Sequence, residues 1–385
     1  MSRAKESVDP VAGLKETLNR ARPSFKVVVM PDFYLDYILT YPGKLEDLTA
    51  SFLEVAQRGG GNLLGWGHTV GRGGNASNVV AQLSKLGCQV VPIIETDQLG
   101  KTVLQHFLKG VDLSHVRTTG TMSRTMSFET EHSGRRVNIM VSDPGSLSQF
   151  GPEKLTEEDK QIISEADFVC VLNWNQNLKG TDLAEKVFSI AKEEGKAVTF
   201  FDPGDPALRI GEIEGLNQRV LTPGLIDVLS VNENELMHLA KGVAEDTSEI
   251  EGAEDPLFGA ASVFSMMIPR VDLHTPEFSA TFVDGQRVRV PCARIKPAKV
   301  TGAGDVWNAA DIYAQGVGLG HKDRLIFANA AGAAYLEGRG LEPPTLGEVV
   351  GRVDSVVAAG KPQGFTSLKL DRPITWAGEE FELRL

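Results

Sequence analysis

The sequence predicts an α/β protein built on a doubly wound sheet. Three observations lead there. Short apolar, β-branched runs alternate with helix-like stretches along most of the chain. Several of these runs end in acidic or amide residues, as strands do when their carboxyl ends open on a ligand crevice. One region, Arg117 to Val141, breaks the alternation with strand-like arms around Ser133-Gly134, which reads as an antiparallel insertion.

In order, the first 24 residues read as an appendage with a short helix from Val11 to Arg22. Lys26–Met30 is a β-branched run and the first buried strand. The loop after it carries Asp32 and Asp36, and Asp36 is placed to take substrate hydroxyls, unless it is a plain loop carboxylate in water. Leu45 to Ala56 is helix-like. Gly59 to Gly71 is a glycine-rich loop. Its Gly65, Gly67 and Gly71 approach a dinucleotide fingerprint, but no buried strand leads in. Gly73-Gly74 then opens a helix stopped by Gly87. Asn78 lies one turn in, facing a ligand or satisfied by packing. Strands follow at Gln89–Ile94, Phe168–Leu172, Val198–Phe201 and Val228–Val231, the last running into Asn232-x-x-Glu235. Residues 244 to 259 are acidic and read as a surface loop. Val271 to Thr275 and Ser279 to Val283 are late strands, with Asp284-Gly285 a hairpin turn. Ala328 to Leu336 is an Ala-rich helix that allows close packing and turns Asn329 toward the crevice. The tail from Gly364 is β-like.

The 385 residues suit one large domain with an accessory piece, or two domains. An apolar content of 42% is enough for a substantial core, and a net charge of −12 argues against a nucleic-acid surface. Cys88, Cys170 and Cys292 lie far apart, so neither a disulfide framework nor a zinc site is indicated. Met1 to Ser24 lacks the apolar core of a signal peptide, and no apolar run reaches membrane-spanning length. A cytoplasmic protein without nucleic-acid or membrane partners is expected.

The stretch Thr301-Gly302-Ala303-Gly304-Asp305 carries the most chemistry. Glycines at a helix start leave backbone N–H groups uncovered, and with the helix dipole these form an anion site. A carboxylate beside it, Asp305, suits a kinase whose acceptor is an alcohol: the acid takes the proton and the N–H groups hold the phosphoryl charge. The plainer alternative is a helix N-terminus with a favourable acid.

Gly73-Gly74-x-x-x-Asn78 with Leu86-Gly87, Asn232-x-x-Glu235 and Thr301-Gly302-Ala303-Gly304-Asp305, in this order, resemble the ribokinase-like (PfkB) family of sugar and nucleoside kinases. The resemblance implies a three-layer αβα domain over residues 26–363. It also implies a small β lid from about 37–72 and 117–142, an appendage 1–25 and a tail 364–385. Asp305 would be the base, and Gly302, Ala303 and Gly304 the anion hole. Asp36, Gly73, Gly74 and Asn78 would hold the acceptor. Asn232, Thr301, His274, Thr275 and Asn329 would line the nucleotide, and Glu235 would hold Mg²⁺ through water. A monovalent cation and a homodimer through the lid fit the same picture. Without the other motifs, Asn232-x-x-Glu235 would read as a helix cap.

The departures are as informative. Lys299-Val300 stands where an acidic residue is usual, Glu95 where glycine is usual, and His274 to Ser279 has no glycine. ADP therefore stays open beside ATP as donor. The leading expectation is phosphoryl transfer to a hydroxymethyl group of a sugar or nucleoside. The competing readings are a silent sugar- or nucleoside-binding protein on this fold and a dinucleotide oxidoreductase.

Overall fold

The computed structural model describes residues 10–193, 196–243, 255–299, 301–338 and 340–360, with the backbone of strands 363–367, 374–376 and 379–381. In chain order the strands are β1 (Lys26–Met30), β2 (Tyr34–Lys44), β3 (Gly67–Gly73), β4 (Gln89–Pro92), β5 (Ile94–Glu95), β6 (Val116–Arg117), β7 (Ser123–His132) and β8 (Arg135–Asp143). They continue with β9 (Phe168–Leu172), β10 (Val198–Asp202), β11 (Val228–Val231), β12 (Arg270–His274), β13 (Phe278–Val283), β14 (Gln286–Pro291) and β15 (Gln363–Ser367).

A nine-stranded sheet runs β15-β14-β13-β12-β11-β10-β9-β1-β4, parallel from β4 to β12 and antiparallel beyond. Buried β-branched runs are what a sheet covered on both faces requires. Alternation along β1 shows the two covers: Val27 and Val29 join one core, Val28 and Met30 the other. Helices Asn75–Lys85, Ala303–Gly316, His321–Glu337 and Leu346–Ala359 supply the first, and Gly180–Glu193, Glu233–Val243 and Pro256–Ser265 the second. The result is a three-layer αβα domain. The strand order reverses at β1, which has β4 on one side and β9 on the other, so the crevice opens at its carboxyl end.

A second sheet, β3-β2-β7-β8, stands apart from the first. Ser133 and Gly134 turn its β7–β8 hairpin at positive φ (51° and 74°), as does the expected Asp284-Gly285 turn (50° and 68°). Two expectations change here. Asp36 is not in a loop: Pro31 to Phe33 make the whole connection, and Asp36 sits on β2, paired with Gly71 and Thr125. The glycine-rich run is a loop only as far as Trp66. From Gly67 it is an edge strand, held by pairing with β2. Trp66 closes an aromatic cluster with Tyr41, Phe52 and Phe128 at ring distances of 5.3, 5.8 and 6.3 Å.

The Pro10–Arg20 helix docks with Leu14 and Leu18 in the core, and β15 pairs with β14 in the main sheet. Within the expected acidic loop, residues 244–254 lie outside the described residues. Residues 256–259 open a helix, with Pro256 in its first turn and the Asp255 side chain accepting from the Leu257 N–H.

Beneath the crevice lies a buried ion quartet. Arg270 bonds Asp272 at 2.8 Å and Asp311 at 3.0 Å, while Arg324 bonds Asp272 at 3.0 Å and also pairs with Asp311. It ties β12 to the helices Ala303–Gly316 and His321–Glu337.

Candidate active site

The carboxyl ends of the parallel strands bring the acidic residues together. Asp32 follows β1, Asp202 ends β10, Glu235 opens the helix after β11, and His274 ends β12. Asp305 lies in the first turn of Ala303–Gly316, where Gly302 has φ 83°. A Cβ at Gly302 would lie 2.9 Å from the Tyr335 hydroxyl, so conformation and space both call for glycine.

Asp305 is buried, and Asn78 Nδ2 donates to its Oδ2 at 2.7 Å. Burial holds its carboxyl well above the usual range, opposed by the Asn78 hydrogen bond, with the charges of Asp202 and Asp32 adding to the rise and Arg72 opposing it. Glu235 is raised in the same way, by burial and then by Asp202. Asp202 is pushed up to about 6 by burial, against hydrogen bonds from the Gly204 N–H and Asn308. Burial alone outweighs the other influences on Asp36, pushed up to about 7 with Thr125 and Arg72 opposing. The charges of Asp36 and Asp305 both bear on Arg72 and on Tyr335. A Cβ at Gly73 would lie 2.1 Å from Asp36 Oδ2 and one at Gly74 2.7 Å from Asp32 Oδ2, so both glycines make room for carboxylates.

Several expected site residues are engaged by the protein itself. Asn232 and Glu235 form a reciprocal cap: Asn232 Oδ1 accepts from the Glu235 N–H at 3.0 Å, and Glu235 Oε2 accepts from the Asn232 N–H at 2.8 Å. Asn329 braces the core instead of opening on the crevice: Oδ1 accepts from Trp307 Nε1 at 2.9 Å, and Nδ2 donates to the Val290 and Pro291 carbonyls. The Thr275 hydroxyl is spent on the β12–β13 turn, donating to the Phe278 carbonyl at 2.9 Å. Asn78 faces Asp305, with its amide oxygen taken by Arg72. Thr301 is exposed and accepts from Asn138 of β8 at 3.1 Å, which joins the second sheet to the segment that opens the Ala303–Gly316 helix. His274 lies tilted against Trp307 with ring centroids 5.0 Å apart; among the described residues its buried Nε2 has no partner, and burial lowers it to about 4, so it is neutral at pH 7.

Sequence reasoning passed over Arg72, Asp202 and Asn308. It placed Asp32 in the same loop as Asp36 and gave it no role. Asp32 accepts from the N–H groups of Asn75 and Ala76 at 2.8 and 2.9 Å and from Asn173 at 2.8 Å. Asn308 Nδ2 donates to Asp202 at 2.6 Å while Ser230 donates to Asn308 Oδ1. A charge between glycines and an acid at a strand end were the available signals.

Among the described residues no three acidic, histidine or cysteine side chains meet closely enough to grip a metal directly. The donor chemistry fits a hydrated Mg²⁺ instead. Asp202 and Asp205 both raise the proton affinity of Glu235, which is the field a dication would neutralise.

Buried carboxylates at the carboxyl ends of a doubly wound sheet, beside a glycine-capped helix N-terminus, define a small-molecule phosphotransferase type of site. The pfkB family carbohydrate kinase model matches residues 67–346, and the chain belongs to that family. Among curated proteins it is 22% identical over 306 residues to the Bifunctional protein HldE of Rhodopseudomonas palustris (strain BisA53), covering 74% of this chain and 58% of that one. The chain thus spans little more than half the length of that relative. The fold is shared with Arabidopsis thaliana ribokinase complexed with ribose and ATP, at TM-score 0.64 and 19% identity over 86% of this chain and 99% of that one. A putative ribokinase II from E. coli in complex with ATP and Mg²⁺ gives TM-score 0.65 and 18% identity, again over 86% and 99%.

Proposed function

We propose that the protein transfers the terminal phosphoryl group of a nucleotide, ATP before ADP, to a hydroxymethyl group of a sugar or nucleoside. One observation carries the reading. A buried carboxyl, Asp305, stands in the first turn of a helix whose opening glycine leaves the N–H groups of Gly302, Ala303 and Gly304 for an anion. Its raised proton affinity suits a group that must accept a proton.

Asp305 takes the acceptor's hydroxyl proton as the oxygen attacks phosphorus. The bond to the leaving nucleotide oxygen breaks, and the helix N-terminus holds the charge on the transferred group. Glu235 and Asp202 would hold Mg²⁺ through water, and the ion, when bound, neutralises the nucleotide's phosphates. Asp36 and the Gly73-Gly74 backbone hold the acceptor. Thr301, Asn232 and the His274-Thr275 strand end border the nucleotide. The second sheet acts as the lid, with Asn138 on Thr301 as its contact with the anion hole.

The test is a panel of neutral sugars, sugar phosphates and nucleosides with ATP or ADP, with and without Mg²⁺, reading released nucleotide. Replacing K⁺ by tetramethylammonium decides the monovalent cation. Acceptor-independent release, or none with any donor, would return the chain to a binding role. Tyr37, Val70, Met126 and Val141 form an exposed apolar row across the second sheet, on the face opposite Asp36. A homodimer through that row is expected, and sedimentation of wild type against Val141→Glu measures it.

A further inference from the structure

We infer that Arg72 is a positioning residue for the base: through its bond to Asn78 Oδ1 it locks the Asn78 amide in the orientation that donates to Asp305. The inference rests on the kinase reading for its consequence and on geometry for its existence.

Arg72 Nη1 donates to Asn78 Oδ1, and Asn78 Nδ2 donates to Asp305 Oδ2 at 2.7 Å. A side-chain amide has two nearly isosteric faces. Turned over, Asn78 would set its carbonyl oxygen against a carboxylate oxygen. A guanidinium only donates, so it accepts one orientation and rejects the other. Arg72 lies on the last turns of pairing of β3, immediately before Gly73-Gly74, and is buried. Among the described residues no carboxylate lies within ion-pair distance of it, and the Asn78 oxygen is the side-chain acceptor it holds. The relay therefore joins three elements: β3, the Asn75–Lys85 helix and the Ala303–Gly316 helix.

The arrangement assigns different work to the two oxygens of the base. Oδ2 is tied to Asn78, and Oδ1 has no protein partner among the described residues, which leaves it for the acceptor's hydroxyl proton. The groups facing Asp305 are Asp32 after β1, Asp202 on β10, Glu235 after β11, Tyr335 on His321–Glu337 and Arg72 on β3. Arg72 is the cation in that set. It favours the ionised base against burial and the surrounding acids.

The test uses the full chain and needs no acceptor for its first arm. Asp305, labelled with ¹³C at its carboxyl and assigned by its loss in Asp305→Asn, is titrated in wild type, Arg72→Met and Asn78→Ala. The relay predicts a midpoint raised by at least one pH unit in Arg72→Met. Where Arg72→Met does not fold, Arg72→Gln serves: its amide can accept as well as donate, so it no longer rejects the turned-over Asn78, and the same rise is expected. The second arm uses the panel acceptor with the highest turnover. There, kcat should fall tenfold or more in Arg72→Met with nucleotide KM unchanged, and the Arg72→Met/Asn78→Ala double variant should cost no more than the worse single one. An unshifted Asp305 titration in a folded Arg72 variant, or losses that multiply, would overturn the relay. If no acceptor is turned over, the kinase reading fails and the titration still decides the relay.

Discussion

Asp305→Asn separates the chemistry of the proposed base from the burial that shapes it. The substitution keeps size and planarity but removes both the proton acceptor and the charge. General-base loss lowers turnover by about two to four orders of magnitude, or roughly 2.7 to 5.5 kcal/mol of barrier. Stability should move the other way. The helix N-terminus loses a favourable charge, about 0.3–1 kcal/mol. Against that, a fully buried carboxyl beside Asp202 and Asp32 no longer has to ionise. Its folded proton affinity is raised, so the folded state keeps a proton that the unfolded chain releases above the usual value of 3.8. Wild-type stability therefore falls as pH rises above that value, by up to about 1.4 kcal/mol per pH unit for one such proton. Asparagine does not titrate. Its melting temperature relative to wild type should rise from pH 5 to pH 8. The assays are acceptor-dependent nucleotide release and thermal unfolding at both pH values. A loss of turnover under tenfold would remove Asp305 from the mechanism, and a melting gap that narrows with pH would refute the electrostatic argument.

Three further expectations test other parts of the site. Glu235→Gln should raise the Mg²⁺ concentration for half-maximal rate, and an unchanged titration would leave Glu235 as the helix cap alone. Asp36, pushed up to about 7, accepts hydroxyl hydrogen bonds as a carboxylate, so kcat/KM should rise with pH through neutrality. That limb should vanish, with at least tenfold weaker acceptor use, in Asp36→Ala, while binding of nucleotide alone is unchanged. Arg324→Met leaves Asp272 and Asp311 to share Arg270, and breaking such a buried pairing costs about 3–5 kcal/mol in denaturant titration. Asp311→Leu added to Arg324→Met should recover part of that loss, because one orphaned charge goes with it.

What could be read in advance was local. Gly302, Ser133-Gly134 and Asp284-Gly285 do at the backbone what a turn or cap needs, and neighbouring residues suffice to say so. The β-branched runs were legible because a strand covered on both faces is apolar throughout. The rest depends on distant partners. Asn78 and Asp305 are 227 positions apart, and Asp32 meets Asn173 across 141, so no window of sequence holds both. Asp36 was misplaced because a three-residue connection separates two strands of different sheets, and periodicity cannot see a change of sheet. Asn232-x-x-Glu235 shows a subtler limit. A capping box and a carboxylate aimed at a hydrated ion need the same residues at the same spacing. Here the cap uses Oε2 of Glu235, and among the described residues Oε1 has no protein partner.

The burial that makes this site costly is also what makes it usable. Asp32, Asp202, Glu235 and Asp305 are buried within electrostatic reach of one another, Asp36 is half-buried within reach of Asp32, and Arg72 is the cation that bears on both Asp36 and Asp305. In an empty site their mutual repulsion and desolvation favour protonated carboxyls. On the proposed reaction each of those penalties is relieved at a defined stage. A hydrated dication offsets the repulsion between Glu235 and Asp202, which lowers their affinity for protons. Asp305, held by Asn78 and faced by Arg72, keeps a high affinity, and in the transfer step it is the group required to accept a proton. A carboxylate at its ordinary affinity would be a poor partner for an alcohol. Burial closes part of that gap before the acceptor arrives, and the Arg72–Asn78 pair keeps enough of the carboxyl ionised to be a base at all. The two influences oppose each other on Asp305, so its titration should respond to either one changed alone.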